Sequence, residues 1–219
     1  MLEKFVDLSG QTPLAQGQTQ FVYPHPEIPG VLVKTMKPRP PRRPSLRYSA
    51  WRYGKYRLWH REYSEYISLL ARTGAHFHRL PRYYGFCETS NGPGFLTEYL
   101  SGPDGGLAPI LSRVLNNSRG KDHLLALRAD VETLIEDLSA NNVVFGDLTS
   151  KNLVVVGPDQ DQLRIVDGLG TYTLIPIKQF SRYANNNSIS KWRRTLLEDV
   201  DQAITAGRTG NHRCERDLS

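Results

Sequence analysis

Two aspartates and an asparagine have residue types and a spacing that suit phosphoryl transfer. Asn152 follows Asp147 by five residues, and Asp167 ends an apolar run that comes after a turn at 157–159. Phosphoryl transfer needs a carboxylate near the attacking hydroxyl and oxygen ligands for magnesium, all held on a rigid support. A loop that leads into a hairpin with carboxylates at both ends can supply this. The D-x-x-x-x-N pattern alone is only moderately specific, so the rest of the chain must support this interpretation.

The elements before this loop read as a sheet with one main helix. Strand-like runs separated by polar turns occur at Leu8–Ala15, Phe21–Tyr23 and Val31–Lys34. Residues 58–72 carry apolar side chains at helical spacing, and Thr73-Gly74 ends the helix. A strand pair at 80–88 and 94–100 follows, and the glycine-rich run 101–106 after it is the best domain boundary in the chain.

The elements after the boundary read as mostly helical. Helices are predicted at 108–115 and at 121–140. The longer helix, 121–140, has a continuous apolar stripe and directly precedes the segment that leads to the Asp147 loop. A helix at 191–204 and a polar, disordered tail at 205–219 complete the prediction.

Composition narrows the class of protein. A hydrophobic content of 39% in 219 residues is that of a folded globular chain, and two cysteines argue against a disulfide framework or a cysteine zinc site. No run approaches the roughly 18 consecutive apolar residues of a membrane helix, and the N-terminus has no apolar signal core. We therefore expect a cytoplasmic protein without a transmembrane segment.

The positive charge is concentrated in one segment. The chain carries 28 Lys+Arg and 22 Asp+Glu, a net charge of +6, and residues 37–61 contain nine Lys or Arg and no acid. Aromatic residues alternate with these cations, a combination that can stack on bases or bind phosphates. Two interpretations of this segment remain open: a solvated loop or an anion-binding surface. For the anion-binding surface, the partner is not specified among nucleic acid, a lipid, a phosphorylated sugar and an acidic protein.

Several short motifs give the chain a resemblance to a known family. They are His25-Pro26-Glu27, Arg61-Glu62 with Tyr66, Leu80-Pro81-Arg82-Tyr83 with Gly85, Glu88-Thr89, Lys151-Asn152, and the segment 170–176, which reads GTYTLIP. With these motifs the chain resembles the YrbL-type family of PhoP regulatory network proteins, which has a protein-kinase-like fold. The resemblance implies an α+β fold of two lobes: an antiparallel-sheet N-lobe with one main helix, and a small, mostly helical C-lobe.

The resemblance also implies cofactors and residue roles. ATP and Mg²⁺ would be the cofactors, with Asp147 as the catalytic carboxylate and Asn152 and Asp167 as the metal ligands. Lys34 would contact the nucleotide phosphates and Glu62 would hold it in place, with Glu65 as the second choice. The remaining nucleotide-binding residues would be Gly17, Gln18, Thr19, Val22, Lys151 and, through backbone groups of a hinge, Glu98 and Leu100.

The chain departs from the protein-kinase pattern at several positions. Ala15 and Gln20 replace the outer glycines of the phosphate loop, Phe145-Gly146 replaces the His-Arg before the catalytic aspartate, and Gly168 replaces the Phe after the metal aspartate. No A-P-E-like segment follows, which argues against a peptide-docking protein kinase.

Two functions follow from these observations. The first is an ATP- and Mg²⁺-dependent phosphotransferase that acts on a hydroxyl of an unidentified acceptor, for which an anionic small molecule, a lipid or sugar, and a protein all remain open. The second is a pseudokinase module that binds an anionic partner through its basic segment. The predicted domains are an N-lobe at 1–100 with a basic-aromatic insertion at 37–57, a hinge at 101–106, a C-lobe at 107–204 and the tail.

Overall fold

The computed structural model describes residues 5–38, 52–117, 120–157, 159, 161–170 and 181–214, with side chains up to residue 206. Most of the basic segment, including Arg39, Arg42, Arg43 and Arg47, lies outside the described residues, as do positions 171–176 of the GTYTLIP motif. The chain forms two compact units. Unit 1 contains residues 1–68 and 81–100, and unit 2 contains residues 69–80 and 101–219.

Unit 1 is built on a five-stranded antiparallel sheet. Its strands are β1 (Ala15–Gln16), β2 (Gln20–Pro24), β3 (Val31–Met36), β4 (Tyr83–Thr89) and β5 (Gly92–Glu98), in the spatial order β1-β2-β3-β5-β4. The predicted first strand at 8–15 is therefore wrong over most of its length. Leu8 is buried in a cluster with Tyr23 and Val33 instead, which explains its apolar character without a strand.

The main helix of unit 1 is α1 (Arg57–Thr73), which follows a 3-10 turn at Gly54–Tyr56. Its residues 57–68 belong to unit 1, where Trp59 and Tyr66, seven residues apart, are both buried on one face. The ring centroids of Trp59 and Phe95 are 5.8 Å apart, and those of Tyr66 and Tyr83 are 4.5 Å apart. Aromatic packing therefore fixes this part of the helix against strands β4 and β5.

Besides the end of α1, the described residues of unit 2 form three helices and one hairpin. The helices are α2 (Leu111–Asn116), α3 (Lys121–Ala140) and α4 (Arg182–Cys214), and the hairpin consists of β6 (Leu153–Val156) and β7 (Gln162–Ile165). All four residues of β6 are buried, as its continuous Leu-Val-Val-Val run suggests. The predicted apolar stripe of α3, from Leu124 to Leu138, is buried except for Leu125, which is 43% exposed and therefore was wrongly assigned to the buried face.

Helix α4 differs from its predicted bounds of 191–204. It begins nine residues earlier and continues to Cys214, into the segment predicted as a disordered tail. Buried Ile189 and Val200 continue one apolar face, and Arg193 forms a two-point ion pair with Glu132 of α3. Within the described residues, no helix is long and apolar enough to cross a membrane.

Candidate functional site

The Asp147 loop rests on a buried apolar segment of unit 2. Val143, Val144 and Phe145 are almost fully buried, and the Phe145 ring meets Trp192 of α4 edge-on at a centroid distance of 6.2 Å. Two residues later the chain reaches the surface, where Asp147 is exposed. A buried segment thus anchors a loop whose carboxylate is open to solvent.

Asn152 is tied to the same loop. Its Nδ2 donates a hydrogen bond to the carbonyl oxygen of Asp147 at 3.1 Å, and its backbone N–H donates to the carbonyl of Thr149 at 2.9 Å. The Nδ2 bond uses a donor of the side-chain amide, so the Oδ1 atom keeps its lone pairs for another partner. The spacing of five residues therefore forms a closed loop with a fixed amide group at its end.

Asp167 lies at the end of the hairpin, beside the same loop. The N–H of Val166 donates to the carbonyl of Asn152 at 2.9 Å, and the N–H of Gly168 donates to the Asp167 carboxylate at 2.6 Å. The N–H of Gly146 in turn donates to the carbonyl of Gly168 at 2.9 Å. These bonds bring the backbones of Asp147, Asn152 and Asp167 together.

Gly168 allows this close approach. Its φ is +93°, and a Cβ at this position would lie 2.2 Å from the Asp147 carbonyl oxygen and 3.2 Å from Asn152 Nδ2. Only a residue without a side chain fits this contact in this backbone conformation. The glycine that replaces the aromatic residue of protein kinases is therefore a packing requirement in this chain.

The donor set of this site suits a hard divalent cation. A carboxylate and an amide oxygen are the ligand types that Mg²⁺ accepts, usually together with water and substrate phosphates. Among the described residues, no three or more His, Cys, Asp or Glu side chains form a group that could hold a metal ion. Asn152 and Asp167 would therefore need non-protein oxygens to complete such a site.

Lys34 and Glu62, predicted as partners, both belong to unit 1. Lys34 is half-buried in the interior of β3, rather than at its end, and is aligned with Val22 of β2 and Phe95 of β5. Glu62 is fully buried on α1, and Glu65 is 3% exposed. Buried carboxylates are rare unless they are paired or hydrogen-bonded, so neither glutamate is an ordinary surface acid.

The predicted phosphate loop is a tight turn between β1 and β2. The N–H of Gly17 donates to the carbonyl of Gln20 at 3.0 Å, which places Gly17 and Gln18 at the exposed tip and leaves Thr19 half-buried. Val22 lies beyond the turn in β2, aligned with Lys34. Gly17 has open space around its α-carbon and a φ outside the left-handed region, so the turn itself does not require glycine there.

Gln20 stands where the phosphate-loop pattern has its last glycine, and its side chain forms a structural hydrogen bond. Its Oε1 accepts a hydrogen bond from Trp59 Nε1 at 3.1 Å, and both side chains are buried. The bond gives the buried indole N–H the partner that it needs. It therefore links the start of β2 to helix α1.

The predicted hinge begins where β5 ends. The N–H of Glu98 donates to the carbonyl of Arg82, and its carboxylate accepts from the N–H of Arg82, both at close to 2.9 Å. Leu100 is buried, whereas Lys151, predicted to contact nucleotide, is exposed in unit 2. The sequence could place these residues but could not show these bonds, because backbone contacts leave no pattern in the residue types.

An open pocket of about 520 Å³ in unit 1 lies on the other face of the sheet from Lys34. Leu96 lines it and is aligned with Val33, which points to the face opposite that of Lys34. The lining residues are Ile28, Pro29, Gly30, Val31, Tyr84, Leu96, Glu98 and Tyr99.

Sequence reasoning missed a set of polar residues that hold the Asp147 loop and its hairpin. Asn185 of α4 is fully buried and donates to the carbonyl of Val143 at 3.0 Å, and Ser150 donates to Asp199 of α4 at 2.8 Å. Arg79 binds two aspartates of α3. No local signal marks such residues, because each partner is more than 40 positions away in the chain.

The described part of the basic segment combines cations with rings. Arg52 lies over the Tyr53 ring at 5.9 Å, Lys55 lies over the Tyr56 ring at 5.1 Å, and Tyr53 stacks on His60 at 3.8 Å. Both cations are exposed, so their charges face solvent while the rings are partly covered. The predicted alternation of cations and aromatic rings is present here as cation–π pairs.

An antiparallel sheet with one main helix in unit 1, and a mostly helical unit 2 that carries the Asp147 loop and its hairpin, make this an α+β protein. The chain belongs to the family described as PhoP regulatory network protein YrbL, whose model matches residues 6–201. The family and the α+β class expected from the sequence are thus confirmed.

Two relatives that match most of this chain carry the name of the same family. The chain is 25% identical over 196 residues to the uncharacterized protein YrbL of Escherichia coli (strain K12), a match that covers 88% of this chain and 87% of the relative. The YrbL protein of Shigella flexneri matches with the same values. Among solved structures, Rad53 residues 1–466 in complex with AMP-PNP matches at 16% identity and a TM-score of 0.45, over 85% of this chain but only 47% of that chain.

Proposed function

We propose that this protein is an ATP- and Mg²⁺-dependent phosphotransferase that transfers the γ-phosphate to a hydroxyl group. One observation carries the proposal: Asp147, Asn152 and Asp167 converge on one loop through the Asn152 Nδ2 bond and the close approach of Gly168 to Asp147. The Asn152 amide and the Asp167 carboxylate each have a hydrogen bond before substrate binds, so these two side chains would need little reorganisation during the reaction.

Each residue has a role that its chemistry allows. Asp147 is exposed and carries the carboxylate that would orient the acceptor hydroxyl and receive its proton. Asn152 and Asp167 would hold the magnesium ion, which neutralises phosphate charge when it is bound. Lys34, supported by Glu62, would contribute a second positive charge to the nucleotide phosphates. Gly17, Gln18, Thr19 and Val22, the hinge residues Glu98 and Leu100, and Lys151 would complete the nucleotide contacts.

The proposal is tested by Mg²⁺-dependent ATP turnover or self-phosphorylation in the purified protein and in an Asp147→Asn variant. Loss of the carboxylate should reduce turnover by roughly 10²-fold to 10⁴-fold while thermal unfolding shows a folded protein. Asp159→Asn is a matched control, because Asp159 is an exposed aspartate in the hairpin turn of the same unit. Equal turnover in all three proteins would refute the role of Asp147.

A second candidate function is a regulatory module that binds an anionic partner. The basic segment favours it, since nine cations between residues 37 and 61 have no acid among them, and Arg52 and Lys55 are exposed. The family's description as a PhoP regulatory network protein is consistent with a regulatory role. Such binding should weaken steeply with salt.

Charge reversal tests whether the basic segment binds a polyanion. In an Arg52→Glu/Lys55→Glu variant, elution from heparin should move to distinctly lower salt. The control is Lys191→Glu/Arg194→Glu, which makes the same change in net charge at exposed positions on α4. Equal shifts in the two variants would show that the overall charge, not the basic segment, governs binding.

A further inference from the structure

A buried guanidinium in unit 2 joins two aspartates of α3. Arg79 is 5% exposed, its Nε donates to Asp137 at 2.7 Å, and its Nη1 donates to both carboxylate oxygens of Asp130 at 2.9 Å. A buried cation of this kind is stable only when its donors have acceptors at good geometry. Arg79 and the two aspartates therefore form one connected network.

The same network binds strand β7 of the hairpin. Asp130 accepts the N–H of Leu163 at 2.6 Å, and Arg79 Nη1 donates to the Leu163 carbonyl at 3.2 Å. The N–H of Ile165 donates to the backbone carbonyl of Arg79 at 2.8 Å. Three bonds thus hold β7 along its length. The Asp137 carboxylate, by contrast, forms no hydrogen bond with β7 among the described residues.

The hold on β7 extends to the proposed metal ligand. Ile165 is the last residue of β7, and the next N–H, that of Val166, donates to the carbonyl of Asn152. Asp167 follows directly, with its carboxylate bound to the N–H of Gly168. A shift of β7 relative to its partner β6 would therefore change the distance between Asp167 and Asn152.

We propose that Arg79 and Asp130 are positioning residues that set the place of Asp167 beside Asn152. This inference rests on the proposed function for its catalytic meaning, but its structural part can be tested without turnover. Asp130 is distinguished from Asp137 by its bond to Leu163, although both carboxylates bind the same guanidinium. The two aspartates therefore offer a matched pair of substitutions.

The experiment compares Asp130→Asn with Asp137→Asn in the full chain, using hydrogen exchange of single amides detected by NMR. Asp130→Asn should accelerate exchange at Leu163, Val166 and Gly168 by about tenfold or more relative to Asp137→Asn. The Gly168 amide reports on the Asp167 carboxylate because it donates to it. Exchange at Val166 and Gly168 that is equal in the two variants would overturn the proposal.

A second readout measures the Mg²⁺ concentration at which ATP half-maximally stabilises the protein against heat. Substitution of a residue that directly contacts a metal ligand typically weakens metal binding about 10- to 100-fold. Asp130 contacts β7 rather than Asp167 itself, so we expect a smaller effect. The required Mg²⁺ concentration should rise about threefold to tenfold in Asp130→Asn and stay unchanged in Asp137→Asn. A purely structural role would lower the melting temperature of both variants without this difference. Equal Mg²⁺ requirements would overturn the proposal.

Two further outcomes remain decisive. If the wild-type protein shows no Mg²⁺-dependent stabilisation by ATP, the proposed function fails and the exchange rates alone decide whether Asp167 is positioned by the network. If Asp130→Asn does not fold, Arg79→Lys replaces it, because a single ammonium cannot reproduce the fork that spans both aspartates. Faster exchange at Val166 and Gly168 in that variant would support the proposal, and unchanged exchange would overturn it.

Discussion

Substitution of Gly168 by alanine tests whether the close approach of two backbone segments holds the candidate site together. The added Cβ would lie 2.2 Å from the Asp147 carbonyl oxygen, whereas ordinary van der Waals contact begins at 3.4 Å. The atom that it meets belongs to the backbone, so it cannot rotate away as a flexible side chain would. The loop must move by about 1 Å to accept the new methyl group.

The cost of this substitution has two parts that can be worked out from the structure. An alanine at φ +93° carries strain of about 1–2 kcal/mol. Displacement of the Asp147 carbonyl also breaks the bond from Asn152 Nδ2, which contributes about 0.5–1.5 kcal/mol. We expect a total loss of about 1.5–3.5 kcal/mol, which for a chain of this size lowers the melting temperature by roughly 3–14 °C.

Thermal and urea unfolding measure this loss, and Gly105→Ala is the control. Gly105 lies in unit 2 with a φ of +76°, but a Cβ there would meet no atom within 4 Å, so its alanine variant carries only the strain. If the protein turns over ATP, Gly168→Ala should also lose about 10²-fold in rate, because a misplacement of about 1 Å is enough for this. Equal stability of the two variants would refute the packing argument.

Three other substitutions test single contacts. Gln20→Ala removes the acceptor of a buried indole N–H and should cost about 1–3 kcal/mol in urea unfolding, whereas Gln18→Ala at the exposed tip should stay within about 0.5 kcal/mol. Asn185→Ala leaves the buried Val143 carbonyl without the donor that Asn185 supplies, and should lower the free energy of unfolding by roughly 1–3 kcal/mol. Asn187→Ala, at an exposed position of the same helix, is its control. Burial lowers the pKa of His25, whose Nδ1 accepts two backbone N–H groups, so its neutral form contributes stability that is present near pH 7.5 and lost as the pH falls toward about 5. His25→Asn keeps an acceptor and should remove part of that fall in melting temperature, and identical pH profiles would contradict this role.

Much of the fold could be predicted because its signals are local. The bounds of α3 agree with prediction at both Lys121 and Ala140, since an apolar stripe at helical spacing has one interpretation over 20 residues. The order and spacing of Asp147, Asn152 and Asp167 likewise predicted that these residues would be neighbours. They are neighbours in the structure because a closed turn connects Asp147 to Asn152 and a short hairpin connects Asn152 to Asp167.

The features that escaped prediction depend on distant partners. Leu8 looks like a strand residue but is buried without one, because an apolar side chain reports burial and not backbone conformation. Arg79 carried no signal, since its two carboxylates lie 51 and 58 positions further along the chain. In the sequence, Gln20 was notable only as a departure from the glycine of the phosphate-loop pattern. Only the structure shows that its side chain bonds to Trp59.

The interruption of unit 1 by residues 69–80 has a consequence for synthesis on the ribosome. Every segment of unit 1 has been made once residue 100 is complete, so its sheet can close early. The segment that carries Arg79 has by then been made as well, but its last partner, Leu163, requires about 65 further residues, or several seconds at typical elongation rates. During that interval the Arg79 guanidinium, which is buried in the folded unit, is still hydrated. The later half of the chain then folds around the segment that carries Arg79.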